Sequence, residues 1–162
     1  MLGLTRLTLS PNSGHEPGID EALFKGLSLM TRLQQLDRLI TCDRLTGSHA
    51  LPASLREIRL LYWGSTAASS QWDGSLVPVL QQLPAVEVIW LDFGTADTPW
   101  HHAHRPFGHQ ELDFPLSPFR EMKSLRVLHL GSYRFWKPEA MRQLGVFEAE
   151  LARSRSKLRL MY

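Results

Sequence analysis

Four of the seven histidines fall within Trp100-His101-His102-Ala103-His104-Arg105-Pro106-Phe107-Gly108-His109, with Asp97, Glu111 and Asp113 close by. Imidazole binds zinc and copper well, and His102-x-His104 would place two rings on one side of an extended strand. A metal-dependent enzyme using 101–109 is therefore one reading. Catalytic zinc usually draws its ligands from several rigid elements with a supporting shell, whereas these histidines share one Pro- and Gly-bearing segment. A solvated loop inserted between structural units is the competing reading, and we expect no metal, no cofactor and no catalysis. Other reactive groups are sparser still. Trp63-Gly64-Ser65-Thr66-Ala67-Ala68-Ser69-Ser70-Gln71-Trp72 has serines but no Gly-x-Ser-x-Gly, and neither Gly-x-Gly-x-x-Gly nor a phosphate-loop lysine motif occurs.

The elements that must hold such residues announce themselves by repetition. A Leu-x-x-Leu-x-Leu phrase occurs as Leu4-Thr5-Arg6-Leu7-Thr8-Leu9, Leu55-Arg56-Glu57-Ile58-Arg59-Leu60 and Leu125-Arg126-Val127-Leu128-His129-Leu130, with a β-branched version in Val86-Glu87-Val88-Ile89-Trp90-Leu91. Leu33-Gln34-Gln35-Leu36-Asp37-Arg38 keeps two leucines and lacks the third, and Leu158-Arg159-Leu160-Met161-Tyr162 stops partway. The first positions are separated by 29, 22, 31, 39 and 33 residues. Period-two alternation makes each phrase a strand with one buried and one outward face. On that pattern Leu125, Leu128 and Leu130 are core, while Val127 and His129 face outward.

Helical spacing fills the gaps. Ile19 to Leu36 sets Ile19, Leu23, Leu27 and Met30 on one side, with Asp20 and Glu21 in the first turn where the helix dipole favours negative charge. Ser75 to Leu83 carries Leu76, Val79, Leu80 and Leu83 inward with Pro78 in its first turn, and Pro138 to Ala152 turns Met141, Leu144, Phe147, Leu151 and a borderline Val146 inward. Alternating strands and helices imply parallel strands joined by right-handed crossovers. The expected fold is a single α/β domain over residues 1–162, a solenoid with parallel strands on its concave face and helices on its convex face. An ordinary α/β sandwich is the alternative, though its strands would read as continuous Val and Ile runs.

Three stretches carry a family likeness: Leu51-Pro52-Ala53-Ser54-Leu55-Arg56-Glu57-Ile58-Arg59-Leu60-Leu61-Tyr62-Trp63, Gln81-Gln82-Leu83-Pro84-Ala85-Val86-Glu87, and Pro115-Leu116-Ser117-Pro118-Phe119-Arg120-Glu121-Met122-Lys123-Ser124-Leu125. They resemble the irregular leucine-rich-repeat regions of F-box-type proteins, especially large fungal families, and plant disease-resistance repeats share the phrasing. The resemblance implies a protein-binding repeat region, in its specific form the substrate-recognition part of a ubiquitin-ligase receptor. No F-box-like helical module precedes Leu4, and the chain begins and ends within a repeat. A fragment of a longer array is expected, with a link to the ligase adaptor only if an F-box lies outside this chain. A structural remnant without independent activity is the further alternative.

Bulk properties narrow the classes of partner and compartment. The chain has 162 residues and a formal charge of +2, too small to mark nucleic acid or an anionic membrane as a partner. One cysteine, Cys42, excludes an internal disulfide, and no apolar run reaches the ~18 residues needed to span a bilayer. We expect an intracellular protein whose partner is another protein. The outward strand positions are the candidate contacts: Thr8, Arg59, Trp90, His129 and Tyr162, one from each of five units, with Arg6, Glu57, Leu61, Val88, Asp92 and Val127 beside them. Arg6, Thr8, Arg59, Trp90 and His129 are the principal choices, because arginine and aromatic side chains dominate protein-binding hot spots.

Overall fold

The computed structural model describes residues 3–9, 21–41, 51–62, 76–93, 116–131, 138–154 and 156–162. The His101–His109 segment, the Trp63–Trp72 segment and Cys42 lie outside them. In chain order the elements are β1 (Arg6–Thr8), α1 (Glu21–Ser28), β2 (Gln35–Thr41), β3 (Glu57–Tyr62), α2 (Leu76–Gln81), β4 (Val88–Phe93), α3 (Ser117–Glu121), β5 (Val127–Leu130), α4 (Pro138–Arg153) and β6 (Arg159–Met161). Among the described residues the six strands are all parallel and stand in sequence order, β1-β2-β3-β4-β5-β6, in a sheet that is not closed. The chain is α/β.

Sequential order has a geometric consequence. When every crossover steps to the next strand in the same direction, crossovers of one hand all fall on one face of the sheet. The core agrees. Strand residues Leu36, Ile58, Leu60, Ile89, Leu91, Leu128 and Leu130 form a single buried cluster with Phe24 and Leu27 of α1, Val77, Val79 and Leu80 of α2, Phe119 of α3, and Ala140, Leu144, Phe147 and Leu151 of α4. The alternate strand residues point to the opposite face. Leu125, Leu128 and Leu130 are buried as the alternation requires, and Val127 and His129 are half-buried on the outer side.

The strands β2, β3 and β5 are entered the same way. A tight turn closes with Leu33 N–H donating to Met30 O, Leu55 N–H to Pro52 O and Leu125 N–H to Met122 O, at 3.0, 3.1 and 3.1 Å. Beyond the turn, one carbonyl accepts two N–H groups from the next unit. Thr5 O receives Gln34 and Gln35, Gln34 O receives Arg56 and Glu57, Arg56 O receives Glu87 and Val88, and Glu87 O receives Arg126 and Val127. Serine hydroxyls reinforce two entries, Ser54 Oγ donating to Leu33 O and Ser124 Oγ to Pro84 O, both at 2.7 Å. The leading leucines and valine are buried at Leu33, Leu55, Val86, Leu125 and Leu158, but Leu4 is 47% exposed, so the first unit contributes less core than its phrase suggests.

Two registers differ from the alignment of the phrases. In β2 a bulge between Leu36 and Leu39 sets Leu36 opposite Ile58 but Leu39 opposite Leu60. The third leucine of this unit is thus present one residue late, and the extra residue of the bulge absorbs the offset. In β6, Leu160 stands opposite Leu128 and Met161 opposite His129, so the last unit is one residue shorter than the leucine phrases imply. The compact exit from α4 accounts for it. Ser154 N–H donates to Glu150 O, Ser156 N–H to Leu151 O and Leu158 N–H to Ser156 Oγ, which brings the chain into the strand a residue early.

The helices also depart from their apolar patterns. α1 ends at Ser28, leaving Leu29 75% exposed, because Met30 to Leu33 serves the strand-entry turn instead of continuing the helix to Leu36. In α4 Val146 faces outward at 55% exposure, and the buried position goes to Ala140. α3 was not foreshadowed by helical spacing: Pro118 sits in its first turn and Phe119 fills the core completely. No described helix is long and apolar enough to cross a membrane.

Candidate functional site

The face turned away from the helices carries two rows of side chains across the strands. Parallel register lines up Arg6, Gln35, Glu57, Val88, Val127 and Arg159 in the first. The second begins with the pair Thr8 and Asp37, passes the bulge, and continues through Arg59, Trp90, His129 and Met161. Neighbouring strands lie about 4.8 Å apart, so successive members of a row are within side-chain reach.

The second row closes into a stack at its centre. The Arg59 guanidinium carbon lies 5.8 Å from the centre of the Trp90 ring, and the Trp90 and His129 ring centres are 4.2 Å apart with planes tilted by 37°. A guanidinium at this distance is drawn to the negative face of the indole, an effect of about 0.5–1 kcal/mol where water has access. An outward tryptophan is costly to leave wet, and these two neighbours meet part of that cost: Trp90 is half-buried. Arg59, Trp90 and His129 therefore present themselves as one surface.

Beside the stack, Arg6, Thr8, Gln35, Leu36, Asp37, Glu57, Arg59 and Trp90 line a cleft of about 270 Å³. Gln35 Nε2 donates to Glu57 Oε2 at 3.1 Å, which orients that carboxylate along its wall. One position nearer the strand entrances, Glu87 sits between two arginines, 3.1 Å from Arg56 and 3.9 Å from Arg126. That ladder is exposed and contributes little to stability.

The principal sequence-chosen residues Arg6, Thr8, Arg59, Trp90 and His129 share this face, and four of them line the cleft. Tyr162 does not join the row. The shorter last unit gives its place to Met161, while the Tyr162 hydroxyl donates to Glu148 Oε2 at 3.2 Å. Burial and then the Glu148 charge hold the Tyr162 phenol above its ordinary pKa. Gln35 and Asp37 also belong to the site; they were not among the residues chosen from sequence, although they flank buried Leu36 at the outward positions that pair with Arg6 and Thr8, a signal that could have found them. Leu61 and Asp92 lie in described strands, but their side chains fall outside the description.

His102 and His104 lie outside the described residues, and among those described there is no group of three His, Cys, Asp or Glu that could hold a metal. Chemically the face offers guanidinium, carboxylate, amide and aromatic groups in one plane. This combination suits recognition of a surface with both charges and apolar area. Comparison with known proteins finds no matching family model, no matching curated protein and no matching solved structure.

Proposed function

We propose that this chain is a leucine-rich-repeat-type protein-binding module, and that the outward sheet face is its contact surface. The observation that carries the reading is the Arg59–Trp90–His129 stack, set by register on three adjacent strands on the side opposite the helices. The repeated entry turn, the carbonyl that accepts two N–H groups and the in-order parallel strands are what stacked repeats produce, and they support a solenoid. On this reading the protein acts inside the cell by holding a partner protein and performs no chemistry itself. The resemblance to F-box-type repeat regions adds a specific form, substrate recognition for a ubiquitin ligase, which depends on an F-box module in the same protein. Fold alone does not fix function, so the contact surface is what must be tested.

The test uses the tagged full chain as bait, comparing wild type with Trp90→Ala and Arg59→Ala. Leu29→Ala, an exposed position at the end of α1, is the control. A central anchor of an interface is worth about 2 kcal/mol or more, which is a loss of about 30-fold in affinity. Partners released by the first two variants and kept by the third support the proposal. Identical capture by all four proteins refutes it.

A further inference from the structure

One of the five described strand pairs breaks the regularity of the sheet. The pairs β1–β2, β3–β4, β4–β5 and β5–β6 keep an unbroken register, whereas between β2 and β3 it shifts at Leu36 to Leu39. Leu36 stands opposite Ile58 and Leu39 opposite Leu60, so Asp37 and Arg38 together span the single residue Arg59. Without Arg38 this unit would read Leu33-Gln34-Gln35-Leu36-Asp37-Leu39, the full Leu-x-x-Leu-x-Leu phrase of its neighbours. Every existing pair would survive that removal. Leu36 would keep Ile58, Leu39, Ile40 and Thr41 would keep Leu60, Leu61 and Tyr62, and Asp37 would stand opposite Arg59. The extra residue therefore adds no strand pair, and an inserted residue of this kind disrupts the ladder around it. The pairing of the sheet gives no reason for it.

The outward face does give one, because the cleft lies at the bulge. Gln35, Leu36 and Asp37 lead into the bulge and Arg59 is the residue it spans, and all four line the cleft. The side chain of Leu36 is buried in the core, so its share of the lining is main chain, and here the cleft reaches the floor of the sheet. Bulges bend their strand, increase its local twist and re-aim side chains. The second outward row is interrupted at the same place. Thr8 pairs with Asp37, the register between β2 and β3 passes over Arg59, and the row resumes through Trp90 and His129. Resting on the protein-binding reading above, we propose that the residue inserted at Arg38 shapes the contact surface. The bulge it makes parts the row between Asp37 and Arg59 and opens the cleft beside Trp90, where a segment of the partner protein enters. Arg38 is a positioning residue, and it acts through the main chain of β2.

The test compares the full chain with a deletion of Arg38 and with Arg38→Ala, which keeps the extra residue. Each is also made with Trp90→Phe, so that Trp90 emission is read by difference, and acrylamide, a neutral quencher, probes the cleft. Deleting Arg38 should roughly halve the quenching of Trp90 as the bulge closes, with a urea midpoint at or above that of wild type. Arg38→Ala should quench like wild type. A protein held by wild-type bait and released by Trp90→Ala should bind the deleted chain about tenfold more weakly, and Arg38→Ala as well as wild type. A lower urea midpoint or loss of folding on deletion assigns the bulge to the fold and overturns the proposal. Unchanged quenching overturns it too, and loss of the partner with Arg38→Ala does so by assigning the effect to the side chain. If Trp90→Ala releases nothing, the protein-binding reading falls and this inference with it. If the deleted chain retains a partner that Trp90→Ala releases, this inference alone is sunk.

Discussion

Leu128 and His129 are adjacent on β5 and face opposite ways, which makes them a direct test of which side of the sheet is the core. Leu128 is fully buried and stands in register with Ile89 on one side and Leu160 on the other. Leu128→Ala removes buried side-chain carbons beneath a rigid sheet and should cost about 2–5 kcal/mol. A working value of about 3 kcal/mol is a large part of the ~5–15 kcal/mol total typical of folded domains. For a chain of this length it lowers Tm by about 6–12 °C. His129→Ala loses the contact with Trp90 and some half-buried area, about 1 kcal/mol in all. Urea unfolding with an unchanged m-value would report both differences on one scale. A His129→Ala cost equal to or above that of Leu128→Ala would refute the assignment of faces, and the proposed contact surface would go with it.

Other expectations follow from single contacts. Glu87→Gln, which uncouples Arg56 and Arg126, should cost less than about 1 kcal/mol, and the difference should shrink in ~0.5 M salt because these side chains are exposed. Ser124→Ala removes the bond to Pro84 O and should cost about 1 kcal/mol with no such salt dependence, measured in the same unfolding series. Tyr162 should titrate above the ordinary phenol value of 10.0, read as the ultraviolet difference between wild type and Tyr162→Phe. Glu148→Gln should bring it back toward that value, and no movement would exclude the carboxylate as a cause. Because the folded phenol is the weaker acid, its small stabilisation is complete below pH 10 and disappears as pH rises through the folded value.

Much of the fold was legible because the alternation of Ile58, Leu60, Ile89, Leu91, Leu128 and Leu130 depends only on local period, and each of these is buried in the sheet. Arg59, Trp90 and His129 were readable as outward residues for the same reason. What escaped the sequence depends on neighbours in space. Leu39 takes the place expected at Arg38 only because β3 supplies Leu60 as its opposite number. Met161 displaces Tyr162 because the close of α4 sets where β6 begins. α3 has five residues, too few for a periodic signal, and Ala140 is too small to stand out in a hydrophobic pattern. The cleft is furthest from the sequence, since its charges come from three strands that no linear motif joins.

The in-order strand arrangement bears on chain entropy. Because every described strand neighbours only the strands before and after it in sequence, each connection closes one independent loop. The closure cost of such a loop grows with the logarithm of its length. Lengthening one unit from the 22 residues between Leu36 and Ile58 to the 39 between Ile89 and Leu128 therefore adds only about 0.5 kcal/mol. Insertions as long as the histidine-bearing segment can thus accumulate between strands while leaving the sheet's hydrogen bonds intact. The irregular spacing of the units is a freedom that this topology confers on the chain.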